Sequence, residues 1–156
     1  MYNIDIQSPE FVKCLERGER EAFQRLFEMY HKALCFFATR IVRDSLEAED
    51  IVQDVFLAFW RMDRGGFPNL KTVKTFLYNS VQHRCLNYLR DLEIRDRNYR
   101  NLKREELDED YFLCQQIRAE VVAELFGAID ELPDKCKEIF KRSYVEIGRA
   151  SCRERV

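Results

Sequence analysis

Histidine is scarce in this chain: His31 and His83 are the only two, and none of the six cysteines (Cys14, Cys35, Cys85, Cys114, Cys136, Cys152) stands in a CxxC pair. Such spacing assembles no zinc site. Also missing are a GxGxxG turn, a P-loop and any Ser or Cys nucleophile in pattern with a histidine and an acid. No catalytic residue, metal ligand or cofactor is therefore assigned, and an enzyme is not expected. Neighbouring carboxylates such as Glu49 and Asp50 come with no pocket signal that would raise one pKa. No signal peptide opens the sequence, and no apolar run approaches the roughly 18 residues of a membrane span. The expected location is cytoplasmic, with no membrane partner, and the cysteines read as small buried hydrophobes in a reducing compartment.

A dominant charge is lacking too. The 26 Lys and Arg residues nearly balance 28 Asp and Glu, leaving −2 overall, which is no footprint of a nucleic-acid binder. The average conceals blocks. Between Asp44 and Asp54 the charges are Asp44, Glu47, Glu49, Asp50 and Asp54, with no base among them. From Arg61 to Arg104 bases prevail, and from Glu105 to Asp110 the sign reverses again. With 156 residues, 46% hydrophobic and 35% charged, the composition is globular and suits one ordinary domain or two small ones.

What is present is helical periodicity. Asp5 to Arg17 is a short amphipathic piece started by Ser8 and Pro9. Glu19 to Val42 carries Phe23, Leu26, Phe27, Tyr30, Leu34, Phe37 and Ile41 at three- and four-residue steps, a core-facing stripe. Asp44 or Ser45 caps the next helix, whose apolar set is Ile51, Val52, Val55, Phe56, Phe59 and Trp60. It stops before Gly65, Gly66 and Pro68.

A third long helix follows Asn69, with Val73, Leu77, Val81, Cys85 and Tyr88 on one side. Its other side presents Lys71, Thr75, Tyr78, Asn79, Gln82, His83 and Arg90, while Arg84 falls inward as an expected ion-pair partner for an acid of the preceding helix. These segments predict an all-α, three-helix bundle. Periodicity then fades into mixed charge from Asp91 to Asp110, which reads as a linker or a frayed helical extension. It returns in Ile117, Val121, Val122, Leu125 and Ile129, is broken at Leu132 and Pro133, and resumes from Lys135 to Val145.

Three constellations carry chemistry, each with a plainer reading beside it. Glu49, Asp50, Gln53 and Asp54 share a helical strip that is either an ordinary solvated face or a dock for a basic partner. GGFPN is either a turn or, with Phe67 or Asn69 at its rim, a pocket for an unstacked base. The third helix is either a soluble face of assorted polar residues or a reader of melted nucleic acid, with Tyr78 and His83 for stacking, Asn79 and Gln82 for base edges, and Lys71, Lys74 and Arg90 for phosphates.

The run AEDIVQDVFLAFW, the Pro/Asn loop and FLYNSVQHRCLNYLR together closely resemble region 2 of bacterial RNA polymerase sigma factors, in the extracytoplasmic-function (ECF) group of the sigma-70 family. The resemblance covers about Glu21 to Arg90, and LPDKCKEIFKRSYVE is similar to the opening of that group's region 4. It implies that Asp50, Gln53 and Asp54, with Phe56 and Trp60 beneath, dock on the beta-prime coiled coil of core RNA polymerase. It implies also that Phe67, Pro68, Asn69, Lys71, Lys74, Tyr78, Asn79, Gln82 and His83 capture flipped non-template bases of the promoter minus-ten element; Arg90 is added as a phosphate contact. An anti-sigma partner is implied by resemblance alone.

The expected organisation is region 2 over 1–90, a charged linker over 91–116 and, over 117–145, a partial helical region 4 lacking its recognition helix. Residues 146–156 (EIGRASCRERV) have no helical stripe. They resemble the translation of a sequencing-library adapter and are expected to be non-native. The expected function is that of an ECF-type sigma factor; the alternative is a helical module that binds polymerase or an anti-sigma factor without DNA.

Overall fold

Short capping devices and long apolar stripes divide the chain into helices. The computed structural model describes residues 7–63, 65–95, 109–140 and 142. Its α-helices are α1 (Pro9–Glu16), α2 (Arg20–Val42), α3 (Ser45–Arg61), α4 (Leu70–Arg95), α5 (Glu109–Asp130) and α6 (Asp134–Phe140), with no strand among the described residues. Residues 96–108 of the expected linker, most of 141–145 and the tail 146–156 lie outside the described residues.

The corner between α2 and α3 takes only Arg43 and Asp44. Arg43 adopts the left-handed conformation (φ 59°), and its N–H donates to the Thr39 carbonyl at 2.8 Å, closing α2. The Asp44 carboxylate then accepts from the N–H groups of Leu46 (3.0 Å) and Glu47 (3.3 Å), which opens α3. These bonds satisfy terminal groups that the helices leave orphaned.

α2 packs on both α3 and α4, and α3 packs on α4. Leu26, Leu34, Phe37 and Ile41 of α2 meet Val52, Val55, Phe56 and Phe59 of α3 and Val73, Leu77, Val81 and Cys85 of α4 in one core. Each large side chain so buried contributes about 1.5–3 kcal/mol relative to exposure. α1 adds Phe11, Cys14 and Leu15 to the same core.

Two positions on α4 depart from the sequence reading. Arg84, expected on the inward side, is exposed, and Tyr78, expected on the outward side, is 3% exposed. The buried row runs Val73, Leu77, Val81, Cys85. Each four-residue step overshoots a full turn by about 40°, so the row winds around the helix as α4 crosses its neighbours. By the level of Cys85 the inward direction has rotated past Arg84.

The chain divides into two compact units, Met1–Glu120 and Val121–Val156, and the division falls inside α5. α5 itself begins at Glu109, so residues 109–116 of the expected linker are helical. In the first unit α5 adds Phe112 and Ala119 to the core, and Gln115 is also buried. Of the periodic stripe, Ile117, Val121 and Leu125 are 53%, 58% and 52% exposed, Val122 is half-buried and Ile129 is buried. α5 carries apolar residues on two sides, and periodicity alone does not say which one finds a partner. In the second unit Lys137 pairs with Asp130 at 3.2 Å, and α6 buries no residue.

Phe59 is fully buried, whereas Leu57, two residues earlier, is 50% exposed. Phe59→Ala is expected to lower unfolding free energy by about 3–5 kcal/mol, and Leu57→Ala by no more than about 0.5 kcal/mol. Urea denaturation of both variants checks this, and equal losses would refute the assigned register.

Candidate functional site

The strip on α3 forms because its core residues leave the opposite arc of the helix to solvent. Asp50, Gln53 and Asp54 are all exposed there. Leu46 (74% exposed) and Leu57 (50%) lie on the same arc, since eleven residues advance a helix by about 20° beyond whole turns. These two leucines were not among the residues singled out from sequence. Their signal was an apolar pair out of phase with the core stripe. Together the five side chains make a carboxylate-amide patch with apolar ends, suited to a partner that is both basic and amphipathic.

Beneath it, Phe56 is only 2% exposed, so it supports the strip without reaching a partner, and Trp60 is half-buried. The support comes from aromatic rings of α2. Phe23 meets Trp60 at 4.8 Å and Phe56 at 6.2 Å between centroids, and Phe27 meets Phe56 at 4.9 Å and stacks on His31 at 4.4 Å. Burial holds the His31 pKa below its usual value, against an opposing pull from Glu49. Burial, aided by Glu49, pushes the Cys35 thiol up to about 11. Its sulfur lies 3.6 Å from His31 Nε2. A thiol so raised is not a nucleophile at neutral pH.

In the loop between α3 and α4, the Gly65 N–H donates to Asp63 Oδ1 at 3.0 Å, and Gly66 takes a φ of 97° that favours glycine. Phe67 does not stand free at the rim. Its ring packs against Phe59 (6.0 Å) and Phe76 (5.5 Å), anchoring the loop to the core. Pro68 is exposed. Asn69 caps α4: its Oδ1 accepts from the Thr72 N–H (2.9 Å) and the Thr72 hydroxyl (2.8 Å). Only its amide N–H groups remain for a ligand.

On α4, Lys71, Asn79, His83 and Arg90 are exposed and Gln82 is half-buried. Lys74 is paired with Glu120 of α5. Tyr78 lies in the core, its ring edge-on to Phe37 at 5.2 Å, and burial together with the nearby Glu120 carboxylate raises its hydroxyl pKa far above the ordinary phenol value. The face thus offers cations, amides and the His83 ring for phosphates and base edges. Of the rings expected to meet bases, Tyr78 and the rim residue Phe67 are engaged within the protein, and His83 alone of the three is exposed. Among the described residues no group of three or more His, Cys, Asp or Glu side chains is placed to hold a metal ion, and no helix is long and apolar enough to cross a membrane.

Residues 26–94 match the family described as Sigma-70 region 2. The RNA polymerase sigma-H factor of Pseudomonas aeruginosa is 29% identical over 83 residues, which is 53% of this chain and 42% of that protein. The ECF RNA polymerase sigma factor SigM of Mycobacterium tuberculosis is 36% identical over 73 residues, 47% of this chain and 37% of its own. The matched stretch thus spans less than half the length of these curated relatives. No solved structure matches at a significant level.

Asn69 is expected to serve the helix first. Asn69→Ala should cost about 1 kcal/mol of stability through loss of the cap, and Asn69→Asp should retain most of it. Equilibrium denaturation compares them, and an Ala variant as stable as the parent would remove the capping role.

Proposed function

We propose that this chain, whose residues 26–94 form a sigma-70 region 2 domain, acts as an ECF-type sigma factor: it binds core RNA polymerase and directs promoter recognition and opening, in the cytoplasm and without catalysing a bond change. The observation that carries the proposal is the exposed α3 strip of Asp50, Gln53 and Asp54 between Leu46 and Leu57. It lies in the segment that resembles the family's docking helix. The partner surface is the beta-prime coiled coil, whose fit requires cations opposite the carboxylates and apolar contacts opposite the leucines. Phe56 and Trp60 hold the strip in place from below.

Non-template bases of the minus-ten element would lie along the α3–α4 loop and α4. Lys71 and Arg90 supply phosphate contacts, and Asn79, Gln82 and His83 supply base-edge contacts. Base capture separates the strands because an unstacked base regains hydrogen bonds on the protein. Residues 117–145 are taken as the beginning of region 4, lacking its recognition helix, and an anti-sigma protein is the proposed regulatory partner.

The test separates the two surfaces. Gln53→Ala with Asp54→Ala, and Leu57→Ala separately, should each weaken core-polymerase pull-down, the double variant by about tenfold or more. Neither should alter binding of a minus-ten non-template oligonucleotide measured by fluorescence anisotropy. Lys71→Ala should do the reverse. Undiminished polymerase binding by the double variant would remove the docking strip. No anisotropy signal even at low salt, where phosphate contacts are strongest, would leave a polymerase-binding module that does not bind DNA.

A further inference from the structure

His31 and Cys35 stand one helical turn apart on the same face of α2, and both are half-buried, within reach of solvent. The Cys35 sulfur lies 3.6 Å from His31 Nε2. The imidazole is held in place by its neighbours: it stacks on Phe27 with centroids 4.4 Å apart and lies 6.4 Å from the Phe56 ring of α3. α3 also brings the exposed Glu49, whose negative charge acts on both the imidazole and the thiol. A hydrogen bond is the plainer account of the pair, and a weak one, since a thiol is a poor donor and a poor acceptor. The separation has a second meaning. Around a tetrahedral zinc ion, bonds of about 2.0–2.1 Å to nitrogen and about 2.3 Å to sulfur leave the two ligand atoms about 3.5–3.6 Å apart.

We infer that His31 Nε2 and Cys35 Sγ are the two protein ligands of an exchangeable site for a borderline-soft divalent metal ion of the zinc class. The inference does not depend on the readings of α3 and α4 as docking and nucleic-acid faces. Three observations carry it. The two ligand atoms already stand at the separation that one ion requires. The ring is oriented in advance by Phe27, much as the surroundings of a metal-binding histidine fix its orientation. The nearby Glu49 carboxylate favours a cation at this spot. Nitrogen and sulfur donors select zinc-class ions over magnesium or calcium, which take oxygen ligands. On binding, Nε2 gives its lone pair with the ring proton on Nδ1, the Cys35 S–H bond breaks, a sulfur–metal bond forms, and the thiol proton passes to solvent. No third His, Cys, Asp or Glu among the described residues is placed to join the pair. Water therefore fills the other positions, and the ion can leave.

The experiment uses the full chain, reduced, with Cys114, Cys136 and Cys152 replaced by serine; the first two are exposed and would compete for metal, whereas Cys14 and Cys85 are buried. Zinc binding is measured by isothermal titration calorimetry, and cobalt(II) serves as a spectroscopic stand-in whose thiolate charge-transfer band reports a metal–sulfur bond. One zinc ion per chain is expected, with a Kd on the order of 10 μM, since two protein ligands replace the four of a structural zinc site. Magnesium should give no heat. His31→Gln and Cys35→Ser, each shown by circular dichroism to keep its helices, should weaken zinc binding by about tenfold or more, and Cys35→Ser should also lose the cobalt band. X-ray absorption at the zinc edge of the unsubstituted pair should find one sulfur and one imidazole, a result that does not depend on how the variants fold. If no charge-transfer band forms, if the zinc shell holds no sulfur, or if both variants bind zinc as tightly as the starting chain, the site is overturned and the pair is a hydrogen bond only.

Discussion

Phe59 closes the first unit. Fully buried on α3, its ring meets Phe67 of the following loop and Phe76 of α4 at about equal distance, 6.0 and 6.1 Å. One residue thus fixes how the loop leaves α3 and how α4 enters beside it. The α3 strip and the α4 face are both read from helix registers that this aromatic junction locks. Because a ring of this size dominates local burial energy, the loop can carry two glycines and a proline without losing its course.

Much of this was legible in the sequence. The periods of α2 and α3 gave correct buried faces, and of the two caps the sequence allowed for α3, Asp44 is the one used. Each of these helices buries one face against the bundle along its length, so a local pattern and the tertiary environment agree. The reading failed where the environment changes along a helix. On α4 the buried row winds, so Arg84 emerged and Tyr78 sank. Near Glu109 a charged stretch that reads equally as a linker or a frayed helical extension is helical; the partner for Phe112 and Ala119 lies on other helices, and a local window does not contain that information. The candidate site was legible as a set of residues, less so as a surface. Phe67 and Asn69 were chosen for chemistry that the fold already uses for packing and capping.

The two surfaces differ in readiness. On α3 the strip is open, its carboxylates and leucines presented on an arc with rigid rings beneath. On α4 the polar centre is open but one edge lies against α5. Polymerase docking and promoter reading, as proposed, therefore meet different surfaces: the first an open strip, the second a face with one edge against another helix.

The corner at Arg43 and Asp44 has a consequence for chain length. With two residues between α2 and α3, and with strip and core on adjoining arcs of α3, deletion of a single residue within the helix would turn everything downstream by about 100°. Phe59 would leave the junction, and the acids would swing toward apolar neighbours. The connection from Met62 to Asn69 is under a weaker constraint, since much of it is exposed and its Gly and Pro residues already tolerate irregular backbone. Insertions and deletions among descendants of this sequence should therefore collect between α3 and α4, while α2 through α3 behaves as a ruler of fixed length.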